Sequence, residues 1–300
     1  MNTKKHFAAI IILFSSTVAF AETPSSTQTV LPLQFNSGNP APYGMPSTTI
    51  NIAGKNLPIL LDTGEKKAGV VLSLNAIKGL PIKFTGQEEC FQAFDGKHCE
   101  QVFIIPQVKI GSFTVDNVKG RLMTQLWGGN NAGFKATEAS NNGLIGFQLL
   151  SQFNVLLDYP HAQMILTKPG NKPIDYDISN WTVIPFNGHL QSALLLNGRP
   201  LTVSWDTGSI PSVISKTMAA NFKAAPCPGN APYSKINCSS IAPTSFITLN
   251  NTPLPKTWFQ ITDIPTEAPF DALMGSNFYQ ENLVYFDFTN SLIYVKHATK

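Results

Sequence analysis

"VSWDTGS", residues 203–209, carries one carboxylate, Asp206, up an apolar run and turns at once on Thr207 and Gly208, with Ser209 behind. "ILLDTGE", residues 59–65, does the same with Asp62, Thr63 and Gly64. Asp caps turns and Gly supplies them, so one such tripeptide marks no more than the end of a strand. Two copies carry information only if the chain around them repeats as well.

It does. Setting Asp62 on Asp206, an offset of 144, puts Gly54 on Gly198, eight residues ahead of each Asp. "IAGKNLPILLDTG" then lies beside "LNGRPLTVSWDTG", and both read as a hairpin-like approach to the acid. With two residues near Lys66 and Lys67 taken as an insertion, Ser73 coincides with Ser215, each at a helix N-cap position. Further on, "GLIGFQLLSQFNVLLDYPHAQMIL" (143–166) aligns without gaps to "ALMGSNFYQENLVYFDFTNSLIYV" (272–295) at an offset of 129. Gly146 meets Gly275 and Asp158 meets Asp287. The drop in offset leaves 15 extra residues in the first half, and the Gly/Asn-rich stretch 127–143 reads as the loop that takes up much of them.

Between these landmarks the chain reads as all-β with small helices. "VFIIPQVKIGSFTVDNV" is rich in β-branched residues and alternates in places. "WTVIPFNGHLQSALLLNG" reads as two strands of a hairpin around Asn187-Gly188. Short helical patterns fall near 73–79, 147–152, 215–222 and 276–281. The expected organisation is a leader over 1–21, an extended segment over 22–45, a first lobe over 46–167, a linker over 168–180 and a second lobe over 181–300. The leader has a basic start at Lys4 and Lys5, an apolar run from Phe7 to Phe20 and a small-x-small cleavage site, Ala19-Phe20-Ala21. The run is too short to span a bilayer, so a secreted or periplasmic protein with no membrane span after cleavage is expected.

Only 13% of residues are charged, the net charge is +3, and no basic run or aromatic-basic stripe appears, which argues against nucleic-acid binding. The cysteines are Cys90, Cys99, Cys227 and Cys238. Four cysteines allow three connectivities; Cys90–Cys99 with Cys227–Cys238 is favoured because local closure leaves the halves separate. Neither pair has C-x-x-C spacing and the five histidines show no ligand spacing, so no metal is expected.

The two Asp-Thr-Gly turns, together with the later Leu144-Ile145-Gly146 and Leu273-Met274-Gly275, resemble the aspartic proteases over roughly residues 46–296. The closing segments look more like the retropepsin-like bacterial group than the pepsins. The resemblance implies two pseudo-symmetric β-barrel lobes with short helices and a cleft between them. It implies Asp62 and Asp206 as a catalytic pair, no cofactor, an extended peptide or protein substrate, and a monomer. Thr63 and Thr207 would hydrogen-bond across the axis, Gly64 and Gly208 would let backbone approach the carboxyls, and Ser209 would donate to its Asp. Amide hydrolysis needs an activated water and an acid for the carbonyl oxygen, and two adjoining carboxyls sharing one proton supply both.

Glu65 departs from the family, which places a small residue there. Its charge would disfavour ionisation of Asp62, with Lys66 and Lys67 as candidate partners to offset it. A protein that binds peptide in the same cleft without cleaving it is therefore the alternative. "CFQAFDGKHC" (90–99) is a candidate flap hairpin with Asp95-Gly96 at its turn and Phe91 and Phe94 facing substrate. "CPGNAPYSKINC" (227–238) reads as a plain loop. Asp158 and Asp287 read as structural. Ser209 or Ser215 as a serine nucleophile lacks both a G-x-S-x-G motif and a placed His.

Overall fold

The computed structural model describes residues 26–36, 44–93, 96–123, 137–228 and 238–298, with the side chains of 36, 92, 93 and 96 left aside. The leader, the Phe94-Asp95 hairpin tip, most of the 127–143 loop and the interior of the 227–238 segment lie outside these residues.

The first part of the chain forms β1 (Gln28–Pro32), β2 (Gln34–Asn36), β3 (Met45–Ile52), β4 (Lys55–Leu61), β5 (Val70–Ser73), β6 (Lys83–Ala93), β7 (Gly96–Ile110) and β8 (Phe113–Met123). Next come α1 (Glu138–Asn142), β9 (Gly143–Ile145), α2 (Phe147–Leu150), β10 (Asn154–Asp158) and β11 (Gln163–Thr167). The second part forms β12 (Thr182–Pro185), β13 (Gln191–Leu196), β14 (Arg199–Trp205), β15 (Val213–Ser215), α3 (Lys216–Ala219), β16 (Ala225–Pro226), β17 (Ser239–Ile241), β18 (Phe246–Thr248) and β19 (Phe259–Thr262). It closes with β20 (Ala272–Met274), α4 (Ser276–Tyr279), β21 (Asn282–Asp287) and β22 (Leu292–His297).

Three sheets organise these strands. The first lobe is an eight-stranded sheet ordered β2-β3-β4-β9-β5-β8-β7-β6, with β3 also pairing β7 so that the sheet curls on itself. The second lobe is ordered β16-β17-β19-β15-β20-β14-β13-β18. A six-stranded sheet, β1-β11-β10-β21-β22-β12, takes strands from both parts of the chain and joins the lobes. The fold is thus all-β and two-lobed, with short helices.

The repeat seen in sequence is a structural two-fold. Ala53-Gly54 and Asn197-Gly198 both adopt positive φ, the twist a two-residue hairpin needs, and they turn β3 into β4 and β13 into β14. β4 and β14 share one burial pattern, exposed at the start and continuously buried at the end where each Asp follows. In the joining sheet Leu156 pairs with Tyr285, its own counterpart at the offset of 129, so the axis runs between them. One apolar core runs through both lobes, including Ile59, Leu61, Leu157, Trp205, Met274 and Phe286. The indole N–H of buried Trp205 donates to Ser192 Oγ (3.0 Å), so this large ring enters the core without an orphaned donor.

Three local expectations are corrected. Asn187-Gly188 turns the chain but joins no hairpin: β12 pairs with β22 in the joining sheet, whereas β13 pairs with β14 and β18 in the second lobe. Asn187 Oδ1 accepts from the His189 and Gln191 N–H groups, which closes the turn without strand pairing. Where a helix was expected over 73–79, Ser73 ends β5 and residues 74–79 form turns; the Ser73 hydroxyl accepts from Ala76 N–H (3.1 Å), while Ser215 does cap α3 through Met218 N–H. The helix α1, capped by Thr137, lies within the stretch read as a loop.

Candidate active site

Each Asp-Thr-Gly turn begins where a central strand ends. β4 runs parallel to β9, with Leu61 opposite Ile145, and Asp62 N–H continues the ladder to Ile145 O (2.9 Å). β14 runs parallel to β20, with Trp205 opposite Met274, and Asp206 N–H reaches Met274 O (3.0 Å). The later Gly turns support the acid turns from behind: Phe147 N–H donates to Glu65 O (2.8 Å) and Ser276 N–H to Ser209 O (2.9 Å).

The two turns interlock. Thr63 N–H donates to Thr207 Oγ1 and Thr207 N–H to Thr63 Oγ1, both at 3.0 Å. The Thr63 hydroxyl donates onward to Trp205 O (2.9 Å) and the Thr207 hydroxyl to Leu61 O (3.0 Å). Four buried hydrogen bonds thus join the turns, and three polar groups from each half are satisfied by the other in a closed network. Thr207→Val keeps the shape but strands Thr63 N–H and Leu61 O. It is expected to cost about 2–4 kcal/mol in denaturant unfolding.

This grip sets the carboxyls together. Gly64 N–H donates to Asp62 Oδ1 and Gly208 N–H to Asp206 Oδ1, both at 2.8 Å. A Cβ on Gly64 would stand 2.6 Å from both Asp206 carboxylate oxygens, and one on Gly208 would stand 2.5 Å from Asp62 Oδ1. Each acid therefore lies against the opposite turn, and only glycine leaves room. Asp62 is buried and Asp206 half-buried. Burial first, then the charges of Asp206 and Glu65 and a hydrogen bond with Asp206, push the Asp62 carboxyl well above its usual range.

Other site residues stand elsewhere than sequence suggested. The Ser209 hydroxyl turns from Asp206 and donates to Pro211 O (2.7 Å). Neither Lys66 nor Lys67 pairs with the Glu65 carboxylate. Glu65 Oε1 accepts the backbone N–H groups of Lys67 (2.7 Å) and Ala68 (3.0 Å), and its Oε2 pairs with Arg121 of β8. Arg121 is fully buried and also faces Glu100 of β7, with Nη1 to Oε2 at 3.5 Å. Lys66 Nζ donates to Thr63 O and stands 5.0 Å from the Phe147 ring centre; burial brings it down to about 8 against the pull of Asp206, Asp62 and Glu65. Lys66 was legible only as a neighbour of the motif, and Arg121 carried no local signal at all.

β6 and β7 form the hairpin of the candidate flap, closed by Cys90–Cys99; Cys227–Cys238 is the second disulfide. Phe91 lies 4.2 Å over the Arg121 guanidinium and stacks on His98. Asp158 is wholly buried and accepts from His161 N–H (3.1 Å) and from Tyr176 and Gln163, while Asp287 accepts from Asn290 N–H (3.1 Å). Both hold turns away from the acid pair. Phe153, Tyr159, Tyr285 and Phe286 are core, and Phe288 packs against it. Among the described residues no group of three or more His, Cys, Asp or Glu gathers as a metal site, and no helix is long and apolar enough to cross a membrane.

Glu100 is pushed up to about 7 from an ordinary 4.5, by burial, against the pull of Arg121. Between those values the folded chain keeps a proton that the unfolded chain releases. Its stabilising contribution is present below about 4.5 and lost as pH rises through about 7. Asp62, also raised, acts with the same sign. Unfolding free energy is thus expected to fall by about 3 kcal/mol between pH 4.5 and 7.5, measured by urea titration; a rise over that window would contradict the burial of these acids.

No family model matches the chain, and no curated protein does. Among solved structures the fold is similar to the aspartic proteinase from Irpex lacteus, with a TM-score of 0.57 and 11% identity over 91% of this chain and 98% of that one. At that identity the likeness establishes the two-lobed aspartic-proteinase fold.

Proposed function

We propose that this chain is an exported aspartic endopeptidase that hydrolyses peptide bonds in an extended peptide or protein segment held between its lobes. The observation that carries the reading is the reciprocal packing of Asp62 and Asp206, each carboxyl against the glycine of the other turn. Two acids in that relation cannot both ionise cheaply, so they share one proton and titrate as a pair. Asp62, the more buried and the one beside Glu65, holds it. Asp206 takes a proton from water as the water oxygen attacks the scissile carbonyl carbon. Asp62 gives its proton to the carbonyl oxygen. The tetrahedral diol then collapses: the C–N bond breaks, Asp206 protonates the leaving amine, and a diol hydroxyl returns a proton to Asp62. No cofactor enters the scheme.

The leader at 1–21 and two disulfides support a periplasmic or extracellular site of action. Both acids come from one chain, so a monomer completes the site. Glu65 is the ground for the alternative, a protein that binds peptide without cleaving it. Its carboxylate is paired with Arg121, which lessens that charge beside Asp62 and favours the peptidase. The test is incubation of the mature protein with a mixed peptide library from pH 3 to 8, with products mapped by mass spectrometry. Internal cleavage is expected; intact peptides that nevertheless bind would establish the alternative.

A further inference from the structure

Glu65 stands one residue past Gly64, and its side chain leads away from the acid pair into a buried cluster. Arg121, 0% exposed, lies between Glu65 at 6% and Glu100 at 2%. These residues come from three elements: the Asp62 turn, β8 and β7. The guanidinium also carries the Phe91 ring of β6 at 4.2 Å. A second link runs parallel to it, from Lys67 Nζ to Cys90 O (2.8 Å). Cys90 and Phe91 face Cys99 and His98 across the hairpin, so both links grip it at the disulfide, in the half nearer its turn. On the other side, Glu65 Oε1 closes the acid turn by accepting from Lys67 and Ala68 N–H. A buried charge is costly unless it is paired, and Arg121 of β8 stands between Glu65 of the acid turn and Glu100 of the hairpin strand β7, so its charge bridges the two.

We infer that Glu65 and Arg121 are positioning residues that tie the β6–β7 hairpin to the Asp62 turn as one unit and hold the Glu65 charge at a set distance from the acid pair. The inference rests on the peptidase reading for its catalytic consequence but not for the tie itself. The charged groups around Asp62 are Asp206, Glu65 and Lys66, and those around Glu65 are Arg121 and Glu100, with His98 beyond Glu100. Of these, Glu65 is the anion that can be changed without touching the pair. Because its charge opposes loss of the shared proton, it holds the alkaline limb of activity at higher pH.

Two variants separate the charge from the tie. Glu65→Gln keeps the volume and the acceptor for Lys67 and Ala68 N–H but removes the anion and turns an amide N–H₂ toward Arg121. The alkaline limb of kcat/KM is expected to move down by roughly one pH unit. Amides in 88–91 and 98–101 are expected to exchange about tenfold faster relative to those of β10 and β21. Arg121→Lys keeps the cation, so the limb stays within about 0.3 unit of wild type, while the loss of a guanidinium that reaches Glu65 and Glu100 at once, and of the flat stack on Phe91, speeds exchange around the disulfide alike. If Glu65→Gln does not fold, Arg121→Lys decides the tie. Hairpin exchange unchanged relative to the joining sheet overturns the tie, and an unmoved limb in Glu65→Gln overturns the charge effect. Absence of cleavage by wild type overturns the peptidase reading and with it the catalytic consequence, while exchange still decides the tie.

Discussion

Asp206→Asn is expected to lower kcat/KM for peptide hydrolysis by about 10⁴-fold or more, a loss near 5.5 kcal/mol of transition-state stabilisation. The amide keeps the local geometry, since Asn Oδ1 can still accept Gly208 N–H where Asp206 Oδ1 does. It cannot take a proton from water, so the nucleophile is never made. Asp62→Asn should cost as much for the complementary reason, because an amide has no acidic proton for the carbonyl oxygen. The double variant should be no worse than either single one, since both remove one proton-sharing unit. Folding separates this from simple damage. Each substitution removes a member of a repelling pair in a buried site, so unfolding free energy should hold or rise while hydrolysis disappears. Activity within tenfold of wild type in either variant would remove the pair from the chemistry.

What sequence could show here divides along a physical line. The Asp-Thr-Gly turns, the β3–β4 and β13–β14 hairpins and the later Gly turns were legible because each is specified by contiguous residues, and duplication printed each one twice. The joining sheet was not. β10 and β21 could be seen as matched strands, but nothing local says that Leu156 pairs with its own counterpart Tyr285; that follows from closing the two-fold. Asn187-Gly188 misled for the same reason. The turn chemistry was real, yet the sheet that accepts each flanking strand is decided by partners more than 50 residues away from β12 in β22 and close by in β14 for β13. Glu65 was legible as an anomaly and its neighbours Lys66 and Lys67 as cations, but charge partners follow strand order. β5 sits beside β8, with Val71 opposite Arg121, and that neighbourhood delivers the guanidinium to Glu65 from 56 residues on. Ser209 shows the limit of transfer by resemblance: its position matches, but its hydroxyl is engaged by Pro211 O.

Gly208→Ala tests the geometry on which the proposed chemistry rests. The added methyl would lie 2.5 Å from Asp62 Cγ and Oδ1, closer than nonbonded carbon and oxygen can approach. Neither partner can yield at little cost. Asp62 is held by Gly64 N–H at 2.8 Å and Glu65 N–H at 3.2 Å, and the Gly208 turn is held by the threonine network. The carboxyls must therefore part by several tenths of an ångström. Displacements on the scale of 1 Å at reacting groups cost on the order of 100-fold in rate, so kcat is expected to fall about 100-fold. Forced overpacking adds a destabilisation of about 1–3 kcal/mol. Gly64→Ala should behave alike, its methyl meeting the Asp206 oxygens at 2.6 Å. Gly188→Ala is the control, because a Cβ there meets nothing within 4 Å. Its activity and melting temperature should match wild type. If Gly208→Ala matched wild type as well, the carboxyls could not be seated against each other's glycine, and proton sharing between them would lose its physical basis.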